Sequence, residues 1–138
     1  MKKTLFILMM AFTAICFVTT SCNNNSDEMN DEVLGKTPRL MKEALTSLMA
    51  KKDLPDWLAE KVTDLEKDAP PMSVYKVYQC KWKSQTVYNI YYNFSSCILC
   101  DTFYSDGRRI DWEKAADAED FCDKSTDWKC IYVIEGSH

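Results

Sequence analysis

From Pro38 onward the apolar positions follow two periods. Leu40, Met41, Ala44, Leu45, Leu48 and Met49 recur at steps of three and four, which makes one stripe along a helix. Pro38 suits a first helical position and Thr37 can cap it, so the spacing predicts a helix ending near Lys52. A second helix follows Asp53-Leu54, opens at Pro55, carries Trp57, Leu58, Val62 and Leu65 along one side, and is stopped by Pro70 and Pro71. Both stripes read as core faces. The period then shortens to two. Val74 to Trp82 and Thr86 to Asn93 are rich in Tyr and Val and flank Lys83-Ser84-Gln85, the pattern of a β-hairpin. Alternation sets Tyr78, Cys80 and Trp82 on one face, with Gln79, Lys81 and Lys83 on the other. A three-residue loop would align Tyr88, Ile90 and Tyr92 with that apolar face and a two-residue loop would not. The longer loop is therefore expected, although Ser84 is less comfortable than Gly in a left-handed position.

A third strand is expected near Leu99 to Tyr104, turning at Asp106-Gly107 into Arg108 to Ile110. Asp111 can cap a short helix with Trp112, Ala115, Ala116 and Cys122 inward, and Trp128 to Glu135 alternates as a last strand. Residues 37–138 thus read as a single α+β domain. Two N-terminal helices pack on one face of an antiparallel β-meander of three to four strands, with a small helical insertion near residues 111–123 and disulfide staples.

The start of the chain reads as an address. Lys2 and Lys3 precede Thr4 to Val18, where 13 of 15 residues are apolar. That is the order of a secretory signal, and the run is shorter than the roughly 20 residues of a transmembrane helix. Thr19, Thr20 and Ser21 lead into Cys22, a junction that resembles the lipobox of bacterial lipoproteins. The expectation is a signal peptide over 1–21, lipid attachment at Cys22, a flexible acidic tether over 22–36, and an anchored position in the cell envelope at the outer membrane. An ordinary signal that leaves a free secreted domain is the alternative.

The whole chain carries 17 basic and 21 acidic residues, and loss of Lys2 and Lys3 leaves 15 − 21 = −6. Such a balance lacks the basic footprint of a nucleic-acid binder. His138 is the one imidazole, so Ser-His-Asp chemistry, Cys-His proteolysis and His-ligated zinc lose their central group. No catalytic set and no cofactor is expected.

With Cys16 removed and Cys22 acylated, Cys80, Cys97, Cys100, Cys122 and Cys130 remain. Outside the cytoplasm such cysteines form structural disulfides, each contributing roughly 2–4 kcal/mol. Two bridges among five cysteines allow fifteen pairings. The expected pattern links Cys97 and Cys100 each to one of Cys122 and Cys130, with Cys80 the buried odd thiol. The alternative is a thiol–disulfide oxidoreductase using Cys97 and Cys100. Against it stand a following strand, the anionic Asp101 and the apolar Ile98 and Leu99, none of which lowers a thiol pKa. A second closely spaced cysteine pair, needed for a zinc ribbon, is missing. Seven acids against two lysines between Asp111 and Asp127 read as a solvated helix face.

All seven Tyr and four Trp fall after residue 56. Tyr75 and Tyr91, beside Asn89, are expected to point away from the core as a platform for a glycan or a protein partner. Cross-strand pairing is the plainer explanation.

Leu54-Pro55-Asp56-Trp57-Leu58, Val77-Tyr78-Gln79, Gln85-Thr86-Val87-Tyr88, the turn ending Cys100-Asp101 and the later Asp106-Gly107 together resemble a family of small envelope lipoproteins of Bacteroides-type bacteria. The likeness spans roughly residues 53–110. That family has adjacent cysteines where this chain has Cys97-Ile98-Leu99-Cys100, so its disulfide connectivity is not carried over. The resemblance implies an envelope location and a domain type, and no activity. Together these features point to a lipid-anchored, non-catalytic binding or interaction module.

Overall fold

The computed structural model describes Lys36, residues 39–112 and residues 115–136. The signal segment, Cys22, the tether up to residue 35 and the expected start of the first helix lie outside the described residues.

The hairpin frames the domain. β2 (Val74–Trp82) pairs antiparallel with β3 (Gln85–Tyr92), from Tyr75 opposite Tyr92 to Trp82 opposite Gln85. Around it stand β1 (Leu45–Thr46), β4 (Thr102–Tyr104) and β5 (Thr126–Glu135), giving a five-stranded sheet in the order β1-β5-β2-β3-β4. β1 runs parallel to β5 and every other pair is antiparallel, so the sheet is mixed. The helices are α1 (Asp56–Asp68) and α2 (Ala115–Lys124), with a 3₁₀ turn over Lys51–Asp53 and a helical stretch over 39–43. The fold is α+β.

Helices cover both faces of the sheet, not one as expected. On the first face Tyr78, Cys80 and Trp82 of β2, Val87 of β3, and Trp128 and Cys130 of β5 pack against Ala118, Phe121 and Cys122 of α2. On the other, Val77, Tyr88, Ile90, Ile131 and Ile134 pack against Leu54 and against Leu58 and Val62 of α1. Leu58, Val62 and Phe121 are wholly buried, each contributing about 1.5–3 kcal/mol of transfer free energy.

Two-sided burial also corrects the hairpin loop. It has two residues, Lys83 (φ 48°) and Ser84 (φ 61°), both left-handed, as a type I′ turn requires. Val87 and Asn89 therefore share a face with Cys80 and Tyr78, while Tyr88 and Ile90 share one with Gln79 and Val77. The longer loop was expected because one face alone seemed apolar. α1 supplies a second apolar layer and removes that constraint.

The first expected helix is likewise shorter. Helical backbone stops at residue 43 and the chain extends into β1, where the Ser47 and Met49 amides donate to the Cys130 and Ile131 carbonyls. Pairing with the β5 edge overrides the helical stripe, and Leu45 and Leu48 stay 70% and 63% exposed. The segment carries the chain around that edge, from Met41 in the α2-side core to Leu54 in the α1-side core. α1 keeps its expected place: Pro55 sits at its N-cap and it ends before Pro70.

β5 bulges where Tyr132 pairs with Val77 and Cys130 with Tyr78, which leaves Ile131 extra and buried on the α1 side. At the β4 turn Gly107 (φ 86°) lies beneath the Trp57 ring, whose Nε1 donates to the Ser105 carbonyl at 3.0 Å. A Cβ at Gly107 would meet that ring at 3.0 Å.

Candidate functional site

The residues expected to form an outer platform do not meet. Asn89 is wholly buried on the α2 face, and its Nδ2 donates to the Ile98 carbonyl and to Thr102 Oγ1, both at 2.9 Å. Tyr75 lies on the α1 face, stacked on Tyr92 at 4.5 Å, and burial pushes its hydroxyl pKa up. Tyr91 lies half-buried on the opposite face. The cause is the hairpin register: a one-residue slip moves every β3 side chain to the other face. A platform of aromatic rings edged by amides, which suits sugars, is thereby dismantled, since Asn89 spends its amide inside the domain.

The α2 face has an opening of its own. α2 covers the end of the sheet that carries Trp82 and Trp128, and among the described residues the other end is roofed by residues 39–48. Between roof and sheet lies a cavity of about 560 Å³, within the range of small-molecule sites. Tyr78, Tyr91, Cys130 and Val133 form its floor, Met41, Ala44 and Leu48 its roof, and Ile98 closes one side. Lys42 and Lys76 bring two ammonium groups, and no carboxylate lines it among the described residues.

Burial favours the neutral forms of Tyr78 and Cys130 on the floor. Burial pushes Tyr78 up to about 12, helped by the neighbouring Cys130 and Tyr91. Burial also raises the Cys130 thiol, opposed by the Lys76 ammonium. Cys80, behind them, is pushed up to about 12 by burial alone. Among the described residues the cavity therefore offers apolar contact and positive charge. Hydropathy patterning along the sequence missed it, because the roof was read as a continuous helix. The available signal was Lys76, a lysine set inside a strand whose neighbours are apolar on both sides.

The disulfide expectation is corrected as well. Cys97 and Cys100 bond to each other, Cα to Cα 5.4 Å, whereas Cys122 on α2 and Cys130 on β5 are buried thiols, as is Cys80. Cys122 and Cys130 point into the α2-side core, while the loop after β3 folds back and brings its own cysteines within reach. That loop is held firmly by side chains. Ser95 Oγ donates to the Cys97 carbonyl, Asn89 to that of Ile98, Thr102 Oγ1 and Trp112 Nε1 to that of Leu99, and Arg109 Nε to that of Cys100, at 2.6–3.0 Å. A second, open cavity of about 520 Å³ adjoins Cys100, lined also by Arg109, Ile110, Asp111 and Trp112.

The acidic helix is partly structural. Asp120 accepts from Trp82 Nε1 at 3.0 Å and pairs with Lys124, whose hydrogen bond is the main cause that holds its carboxyl below the usual range. Among the described residues no group of three or more His, Cys, Asp or Glu is placed to hold a metal ion, and no helix is long and apolar enough to cross a membrane. Comparison with known proteins finds no matching family model, no similar curated protein and no similar solved structure.

Proposed function

We propose that this chain is a lipid-anchored cell-envelope protein, acylated at Cys22, whose domain is a binding module with its site in the cavity between residues 39–48 and the sheet, a site that itself performs no chemistry. The observation that carries the binding role is the pairing of an apolar lining with two lysines, neither ion-paired to a carboxylate among the described residues, in a strongly acidic protein. The complementary ligand is an amphipathic anion, an acyl chain ending in a carboxylate. Apolar burial supplies the affinity, and the ammonium groups favour one orientation of the chain. The resemblance to envelope lipoproteins and the lipobox-like junction support the anchoring.

Calorimetric titration with dodecanoate tests the site. Dodecanoate is expected to bind and dodecyltrimethylammonium to bind at least about tenfold more weakly, a difference of about 1.4 kcal/mol. The Lys42→Glu/Lys76→Glu double variant should lose most of the carboxylate affinity, and Val133→Trp should fill the floor and abolish binding. Equal binding of both amphiphiles, or no effect of the double variant, refutes the site. Metabolic labelling with an alkyne fatty acid tests the anchor: label and membrane association should both disappear in Cys22→Ser.

A further inference from the structure

The Cys97–Cys100 bond is a poor fastening. It joins residues three apart, and the chain-entropy gain of a disulfide shrinks with the loop that it closes. The loop does not need it either. The carbonyls of residues 97, 98, 99 and 100 each accept a side-chain hydrogen bond, and Leu99 between them is wholly buried. Parting the sulfurs leaves that frame intact, so both redox states fit one backbone.

The pair is also set apart from the other cysteines of the domain. Cys80, Cys122 and Cys130 are buried, whereas Cys97 and Cys100 are half-buried. Cys100 opens on the cavity shared with Arg109 and Trp112. Arg109 Nε donates to the Cys100 carbonyl at 2.6 Å, and its guanidinium lines the same cavity as Cys100. Two exposed carboxylates oppose that charge: Asp101, 3.7 Å from Arg109 Nη2, and Asp111, which also lines the cavity.

We propose that Cys97–Cys100 is an exchange-active disulfide that oxidises a dithiol, with Cys100 the sulfur attacked. One thiolate of the dithiol attacks Cys100 Sγ, the Cys97–Cys100 bond breaks, and Cys97 leaves as a thiolate that takes up a proton. The dithiol's second thiol loses its proton and attacks the mixed disulfide, closing the donor's own disulfide. Cys100 departs as a thiolate and is protonated. Two electrons and two protons pass from donor to protein, and the donor ends as its disulfide. The Arg109 guanidinium favours the approaching and the departing thiolate alike.

The experiment uses the full chain in native buffer, with dithiothreitol as the dithiol, maleimide alkylation and peptide mass spectrometry. Cys97 and Cys100 are expected to become alkylable together while Cys80, Cys122 and Cys130 stay protected, and oxidised glutathione should restore the bond. Cys97→Ser, which leaves the Cys100 thiol, should form a mixed disulfide with oxidised glutathione at least about fivefold faster than Cys100→Ser. Arg109→Gln should slow both reduction and capture severalfold. A pair that stays oxidised in excess dithiothreitol, or that reduces only as the three buried cysteines become alkylable, is a staple and overturns the proposal. Equal capture by the two serine variants overturns the assignment of Cys100.

Discussion

Phe121→Ala removes the ring on which three tryptophans converge. Its centroid lies 5.3 Å from Trp112, 5.4 Å from Trp82 and 5.7 Å from Trp128, and the side chain is wholly buried. Truncating such a Phe costs about 3–5 kcal/mol, the transfer free energy of the lost atoms plus the void that the neighbours only partly fill. Against a domain stability of about 5–15 kcal/mol, that is about a fifth or more of the total. With a urea m-value of about 1–2 kcal/mol/M, a loss of about 4 kcal/mol lowers the unfolding midpoint by about 2–4 M. Tryptophan fluorescence during urea titration reads this directly, because three of the four tryptophans surround the deletion, and far-UV circular dichroism gives an independent probe. Phe94→Ala is the control: Phe94 is 66% exposed with its ring against Tyr92, so its loss should stay within about 0.5 kcal/mol. A Phe121→Ala cost below about 1 kcal/mol, or one equal to that of Phe94→Ala, would refute α2 as a lid on the Trp82 end of the sheet.

The other expectations are narrower. Replacing Lys83-Ser84 with Asn-Gly should raise stability by about 1 kcal/mol in thermal melts, because both positions are left-handed; a three-residue loop would gain nothing. Gly136→Ala should destabilise by about 1–3 kcal/mol in the same assay. Its Cβ would fall on the Pro70 carbonyl oxygen and 2.7 Å from Ser73 Oγ, and backbone cannot swing aside as a flexible side chain does. Glu66 accepts hydrogen bonds from Lys51 and from the Tyr132 hydroxyl, and chiefly the Lys51 bond holds its carboxyl below 4.5. A lowered folded pKa means a contribution that is complete above the unfolded value and lost as pH falls through the folded one. The stability gap between wild type and Glu66→Gln should therefore be constant from pH 6 to 8 and close below about 4.5 in urea titrations; a gap unchanged at pH 3 would refute the ionic contact.

How far the sequence spoke depended on how many faces of each element are buried. α1 was legible because prolines bound it on both sides and Leu58 and Val62 mark a single inner stripe. β2 was legible for its Tyr78, Cys80 and Trp82 face. β3 was not, since Val87 on one face and Tyr88 and Ile90 on the other are all buried. A strand covered on both sides reads as a continuous apolar run and gives no register. β1 was hidden because two residues carry no period, and a parallel partner 84 positions away (Leu45 with Lys129) is a tertiary choice. The disulfide lay outside the fifteen two-bridge pairings, since only Cys97 and Cys100 of the five cysteines are bridged to each other, and spacing alone does not give the number of bridges. The cavity was invisible for the same reason as β1: its roof exists only once the helix stops at residue 43 and the chain turns along β5.

The order β1-β5-β2-β3-β4 also dictates when this sheet can be finished. β2 gains one neighbour at once, through a two-residue turn, but its other neighbour begins at Thr126, 126 − 82 = 44 residues beyond its last residue, Trp82. Until then one whole edge of Val-Tyr-Lys-Val-Tyr-Gln-Cys-Lys-Trp stands open, with unpaired backbone and β-prone side chains, the kind of template on which chains join one another. Assembly is consequently governed by long-range closure, which is slow. A polypeptide built this way stays pliable while it is being made, and its most vulnerable moment is the interval before its late strand slots into the middle.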